Sequence, residues 1–414
     1  MTALKQNSEG LLRFLRHRLV TPSDETVVLE SDQESMVYLT DRNRLQPLLH
    51  TLRGVEDDLG LDDTVLESYR NEAHRRMLFG NQQIRHALAF VEALQEAGVP
   101  CICMRGPFAS QDLYGDPGIR PYNDIDLLVP RGCAMEAWGV AKKLRYELFS
   151  WGMPVKYFLR HHLHWQLRQP EQNVICDLHW AVDHPYRMYR IDYEAIFAEA
   201  RRVESPFGSW MEPHPMHHLI LTALHVRKHV EELYTISQQP DGVAVLVARG
   251  EVLHLIDAAL LLQRHGQLLD WDRLGGVAAD WNAEEAVVGC LALVQRAFGV
   301  SVPQPWFKSF QSAIPAWRLS DSSVKFPAGN VWAKALSRSA RVGGFRAEKV
   351  CEAGDYLFPP AELFGTEPGF GRWLRRRSHQ FFAVARLGFA GIDTAVATSV
   401  ARVRMRYHNN STSG

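Results

Sequence analysis

Asp124 and Asp126 stand two residues apart in the run Arg120-Pro121-Tyr122-Asn123-Asp124-Ile125-Asp126-Leu127-Leu128-Val129-Pro130. The apolar part of this run is too short for a free helix and is closed by a proline, so it reads as a strand. Alternation along a strand puts both aspartates on one face, with Ile125 and Leu127 on the other. Two carboxylates so close repel unless a cation sits between them. The simplest chemistry for such a pair is to hold a hard divalent ion, Mg²⁺ or Mn²⁺, against the phosphates of a nucleotide. Asp177 lies in a second apolar run, Val174-Ile175-Cys176-Asp177-Leu178-His179-Trp180, expected beside the first. Three such carboxylates suit two-metal phosphoryl chemistry. Two bridge the ions, and the third holds the ion that activates the attacking oxygen.

A phosphate needs its own partners. The short apolar strand Cys101-Ile102-Cys103-Met104 breaks at Arg105-Gly106-Pro107, and a brief helix over about 107–114 is expected next. Backbone N–H groups at such a turn can bind phosphate, and Gly106 permits close approach. Arg105 supplies one cation there and Arg120 a second.

These segments need a scaffold. Residues 1–98 read as helical: Leu45, Leu48, Leu49 and Leu52 recur at helical spacing, as do Ile84, Leu88, Val91 and Leu94. Gly98-Val99-Pro100 ends the last of these helices. Residues 99–210 form the expected core, with a helix over 133–147 and a β-hairpin over 155–182. One arm of the hairpin starts at Lys156-Tyr157-Phe158-Leu159, and its turn is Gln169-Pro170-Glu171-Gln172-Asn173. Centred near Pro170-Glu171, it places Asp177 opposite His164 and His179 opposite His162. His164 or His179 is then a neighbour or proton acceptor beside Asp177. Prolines near 206–215 mark a boundary. Residues 211–300 are helical again (214–234, 251–265 and 283–299). Residues 301–414 form an irregular and helical C-terminal region, with a helix expected over 371–407. The fold class is α+β: a small mixed sheet flanked by helical regions.

The bulk numbers bound the partners. Lys and Arg (46) balance Asp and Glu (47) in 414 residues, so net charge gives no indication of nucleic-acid binding. The six cysteines form no CxxC pair and read as reduced, mostly buried thiols. The first residues lack the apolar core of a secretory signal, and no stretch is long and apolar enough to span a bilayer. A cytoplasmic location is the expectation.

Several motifs in order carry a resemblance: Arg105-Gly106, Leu113-Tyr114, Arg120, Asp124-Ile125-Asp126-Leu127-Leu128-Val129 and Asp177-Leu178-His179-Trp180. It continues through Leu221-Thr222-Ala223-Leu224-His225-Val226-Arg227-Lys228-His229 and Leu255-Ile256-Asp257-Ala258-Ala259-Leu260. The chain resembles the bacterial uncharacterised nucleotidyltransferase family, of the superfamily with the DNA-polymerase-β-type catalytic fold, over roughly residues 40 to 300. The resemblance implies an NTP, Mg²⁺, and transfer of a nucleoside monophosphate to a hydroxyl or phosphate of an unidentified acceptor. That acceptor could be a small molecule, a peptide or protein, or RNA. Two departures stand out. The family's lysine is Arg105, and Gly106 is followed by Pro107, which removes one N–H. Ser110 is the nearest hydroxyl.

Two other readings compete. A DxD also grips nucleotide-sugars in glycosyltransferases, and the same fold could serve as a non-catalytic nucleotide-binding module. His225 and His229, four apart on an expected helix, have a spacing that can bind Zn²⁺, but no third ligand is near in sequence. Arg227 and Lys228 beside them point rather to a helix facing phosphate or acceptor. Asp257 in an apolar helix is expected to cap it or pair with such a histidine. Arg372-Trp373-Leu374-Arg375-Arg376-Arg377 reads as a solvated basic face, and Tyr356-Leu357-Phe358-Pro359-Pro360 as a packing segment.

Overall fold

The leucines spaced for helix ahead of residue 98 do form helices. The structure is a computed structural model that describes residues 2–20, 32–52, 59–149, 155–183, 189–230 and 232–314. The first helices are α1 (Thr2–Leu15), α2 (Gln33–Arg42), α3 (Gln46–Thr51) and α4 (Asp63–Glu96). The Asp62 carboxylate caps α4 by accepting from Val65 N at 2.9 Å. Past its end comes Gly98 in the left-handed region, and Pro100 follows.

Five short strands then form a mixed sheet in the order β1-β2-β5-β4-β3. They are β1 (Ile102–Cys103), β2 (Ile125–Leu128), β3 (Glu147–Leu148), β4 (His164–Gln169) and β5 (Val174–His179). β2 and β5 run parallel, and the other neighbours are antiparallel. Ile125, Leu127 and Leu128 of β2 are buried, as are Cys176 and Leu178 of β5. That burial pins the register, because a slip by one residue would turn the acidic side chains into the core. Between β1 and β2 lies α5 (Pro107–Tyr114), with proline at its first position and Gly115 as a left-handed C-cap. α6 (Ala134–Lys143) follows β2.

The hairpin differs from its expectation. Residues 155–161, expected in a strand, form a helix, α7 (Val155–His161). β5 has six residues, so an opposing arm extended back beyond His164 would have nothing to pair with. The four-residue connection 170–173 includes Asn173 at φ +51°, a left-handed conformation that Asn tolerates. It sets Gln169 against Val174, hence Gln166 against Asp177 and His164 against His179. The register is thus two residues from the expected one, which preserves which side chains share a face.

Further along come α8 (Tyr193–Ala198) and a two-stranded hairpin, β6 (Arg201–Ser205) and β7 (Gly208–Glu212), where prolines had suggested only a boundary. The helices that follow are α9 (Pro215–His229), α10 (Leu233–Gln238), α11 (Gly242–Arg249), α12 (Val252–His265), α13 (Trp271–Asp280), α14 (Glu284–Phe298) and α15 (Gln304–Ala313). α15 falls in a stretch expected to be irregular. One hydrophobic core joins Leu11 and Leu45 of the first helices, Ile102 and Leu128 of the sheet, and Leu219, Leu255 and Leu291 of the later helices. Contacts place every described residue except 155–162 in one compact unit, and 155–162 in a second. Cys101, Cys103, Cys133, Cys176 and Cys290 are free thiols, and all but Cys133 are buried. Cys351, the helix expected over 371–407, the basic run 372–377 and the segment 356–360 lie outside the described residues. Among the described residues no helix is long and apolar enough to cross a membrane.

Candidate active site

The parallel pair β2–β5 brings the acids together. Asp126 and Asp177 are direct partners in its register. Cross-strand partners on one face lie about 5 Å apart at Cβ. Asp124 sits one residue before β2, at its mouth, rather than inside the strand.

Burial and mutual repulsion shape their charge. Burial, with the charges of Asp126 and Asp177, pushes the Asp124 carboxyl up to about 7. Burial and Asp126 push Asp177 up to about 7 as well. For Asp126, burial acts in the same direction, but the Arg105 guanidinium and a hydrogen bond from His179 overcome it and hold the group below the usual carboxylate range. Three acids at this spacing do not all ionise at neutral pH without added positive charge. The donors are hard oxygens, which suit Mg²⁺ or Mn²⁺.

Two histidines frame the acids. His179 Nε2 lies 2.9 Å from Asp126 Oδ1, and its Nδ1 is 3.1 Å from the Ala181 carbonyl, so the ring is held at both ends. His164 Nε2 lies 3.4 Å from Asp177 Oδ2, and the rings of His164 and His179 pack 4.8 Å apart. His164 therefore neighbours Asp177 as expected, but diagonally. The residue directly opposite is Gln166, whose Nε2 is 3.4 Å from Asp177 Oδ1.

The loop after β1 reaches the acids from the other side. Arg105 Nε lies 3.5 Å from Asp126 Oδ2. Gly106 has φ +72°, and a Cβ there would come within 2.7 Å of the Asp124 carbonyl oxygen. Only glycine allows this loop to pack on the segment that carries Asp124. The preceding turn is packed as tightly, since a Cβ on Gly80 of α4 would lie 2.4 Å from Gly118 N.

Two expected phosphate contacts are engaged elsewhere. The buried Ser110 hydroxyl donates to the Asp116 carbonyl at 2.6 Å and accepts from Arg120 N at 3.0 Å. The Arg120 guanidinium, also buried, forms a two-point pair with Asp257, at 2.7 and 2.6 Å. Tyr114 Oη donates to the same carboxylate at 2.7 Å. Burial alone would raise Asp257, but Arg120 holds it below the usual range. Asp257 thus pairs with an arginine, not with a histidine. These residues brace the site from behind. Arg227 is likewise buried against Glu285, at 2.9 Å, instead of facing an acceptor.

α9 brings His225 and Lys228 to the site. His225 Nδ1 contacts Arg105 Nη1, and the Lys228 charge lowers the proton affinity of Asp177. Met104, Arg105, Leu221, Thr222, His225 and Lys228 line a cleft here. Sequence reasoning missed Arg44. Its Nη2 is 3.2 Å from Asn123 Oδ1, beside Asp124, and burial with the charges of Arg76 and Arg120 lowers it to about 10. It lies eighty residues before Asp124 with no motif around it, so nothing local marks it.

The small mixed sheet thus sets Asp126 against Asp177 on its parallel strand pair, with Asp124 one residue before β2. The family described as Uncharacterised nucleotidyltransferase matches residues 30–299, and the chain belongs to it. No curated protein matches the chain, and no solved structure does.

Proposed function

We propose that this protein transfers a nucleoside monophosphate from an NTP to a hydroxyl or phosphate of an acceptor, with Mg²⁺ or Mn²⁺ as cofactor. The observation that carries the proposal is the register pairing of Asp126 with Asp177, with Asp124 at the strand mouth. Asp124 and Asp126 are the residues that would hold both ions, and Asp177 would share one of them. Bound there, divalent ions neutralise charge on the α-phosphate and on the departing pyrophosphate. Asp177, with His164 Nε2 3.4 Å from its Oδ2, would take the proton of an acceptor hydroxyl. His179 orients Asp126. Arg105, beside Asp126, and Arg44, beside Asn123, flank the acids and would grip the triphosphate, with Gly106 giving the loop its close approach. Lys228 and the cleft next to it offer an acceptor or base a place to dock. No covalent intermediate on the protein is needed.

Among the described residues the sheet has one parallel pair and no repeated βα units, which weighs against the nucleotide-sugar reading. The full set of acids weighs against a purely binding role. Incubation with labelled NTPs and with UDP-sugars, alongside an extract as acceptor source, tests the proposal. Pyrophosphate release that needs Mg²⁺ and disappears in Asp126→Asn supports it, and UDP release without pyrophosphate contradicts it.

A further inference from the structure

Three imidazoles meet beside the aspartate site, on the far side of Arg105 from Asp126. His225 and His229 share one face of α9, and His254 enters from the first turn of α12. Their ring centroids are 4.7, 4.7 and 4.6 Å apart pairwise. One ring nitrogen from each lies within 4.8 Å of the others. A tetrahedral ion with bonds of about 2.0–2.1 Å holds its donors roughly 3.3 Å apart, so rotamer adjustments of an ångström or so close this set. Nδ1 of His254 is buried with no hydrogen-bond partner. Glu251 Oε2 approaches His254 Nε2 at 3.6 Å and His229 Nδ1 at 3.8 Å.

We propose that His225, His229 and His254 form a second metal site, for a borderline transition-metal ion of the Zn²⁺ type, with the Glu251 carboxylate as fourth ligand or as orienting partner. Neutral nitrogen donors favour such an ion over Mg²⁺, which favours oxygen. The proposal goes beyond the nucleotidyl-transfer reading and does not depend on it. Arg105 and Lys228 set positive charge beside the site, and Glu251 opposes it. A neutral imidazole has one lone pair for a donor or a metal. His225 offers it to Arg105, so a metal on His225 and the Arg105 contact exclude each other. Filling the site frees Arg105 from His225 and leaves it with Asp126.

The test is Co²⁺ titration of the chelator-treated full chain, read by visible absorption, with circular dichroism to verify folding. The expected result is one equivalent of Co²⁺ with the intense bands of a four-coordinate site. Stoichiometric Zn²⁺ should displace it, and excess Mg²⁺ should not. His254→Ala and the more exposed His229→Ala should each weaken binding more than about tenfold, the least that even an outer partner contributes. His164→Ala should leave it unchanged. Absence of such bands in folded wild type would overturn the proposal. So would loss of Co²⁺ in His164→Ala with retention in His229→Ala, which would assign the ion to the His164, Asp177 and His179 group instead. Because the readout is metal binding, failure here leaves nucleotidyl transfer untouched.

Discussion

Asp126 and Asp177 face each other across the parallel strands β2 and β5, and only one of them is held ionised by the protein itself. Arg105 and His179 stabilise the Asp126 charge, whereas Asp177 is pushed up to about 7 by burial and by Asp126. An unfolded aspartate titrates near 3.9. Between about pH 4 and pH 7 the folded, metal-free protein therefore keeps a proton on Asp177 that the unfolded chain has released. Its stability should fall as pH rises through that window. Asp177→Asn removes this group's share of the pH dependence. In chelator, the variant should exceed wild type in stability at pH 8 by up to a few kcal/mol, at about 1.4 kcal/mol per unit. The gain should vanish towards pH 4. Urea denaturation at several pH values measures it.

The same charges predict how a divalent ion binds. An ion entering the site replaces protons on Asp124 and Asp177, both held near 7. Mn²⁺ binding at pH 6 should release protons, and affinity should rise from pH 5.5 to 7.5. Calorimetry in two buffers of different ionisation enthalpy counts the protons. A pH-independent affinity would show that the acids are not the ligands.

Gly106 should be intolerant of any side chain. Alanine there would need a left-handed backbone and would meet the Asp124 carbonyl. Gly106→Ala is expected to lose about 1–3 kcal/mol and to weaken Mn²⁺ binding by moving Asp124. Thermal denaturation and Mn²⁺ titration check the two effects separately.

Asp257 and Arg120 should matter for stability rather than chemistry. Removing one member of a buried pair leaves the other charge uncompensated, at a cost of about 3–5 kcal/mol. Asp257→Ala should lower the urea midpoint strongly. The double variant Asp257→Leu/Arg120→Met should recover part of the loss.

Much of this site was legible in the chain, for identifiable reasons. Asp124, Asp126 and Asp177 lie in or beside short apolar runs, so local pattern marked both strands and the face the acids occupy. α5 was readable from its Gly106-Pro107 start. The hairpin register was not, because its turn is set by the left-handed Asn173 and the first arm contains a β-like sequence that folds as α7. Arg120 looked like a free cation because its partner, Asp257, is 137 residues away. His254 and Arg44 were invisible for the same reason: long-range packing, not spacing, brings them to their partners. The β6–β7 hairpin was hidden by flanking prolines that read as a boundary.

The proposed grip on a divalent ion and its nucleotide rests on Asp126 of β2, Asp177 of β5 and Asp124 one residue before β2. Its most direct test is calorimetric titration of each of the four NTPs into the full chain, with Mg²⁺ and then with EDTA, in wild type and in Asp126→Asn. At least one NTP should bind wild type only when Mg²⁺ is present, and folded Asp126→Asn should not bind it. Equal binding in EDTA, or undiminished Mg²⁺-dependent binding by Asp126→Asn, would contradict it.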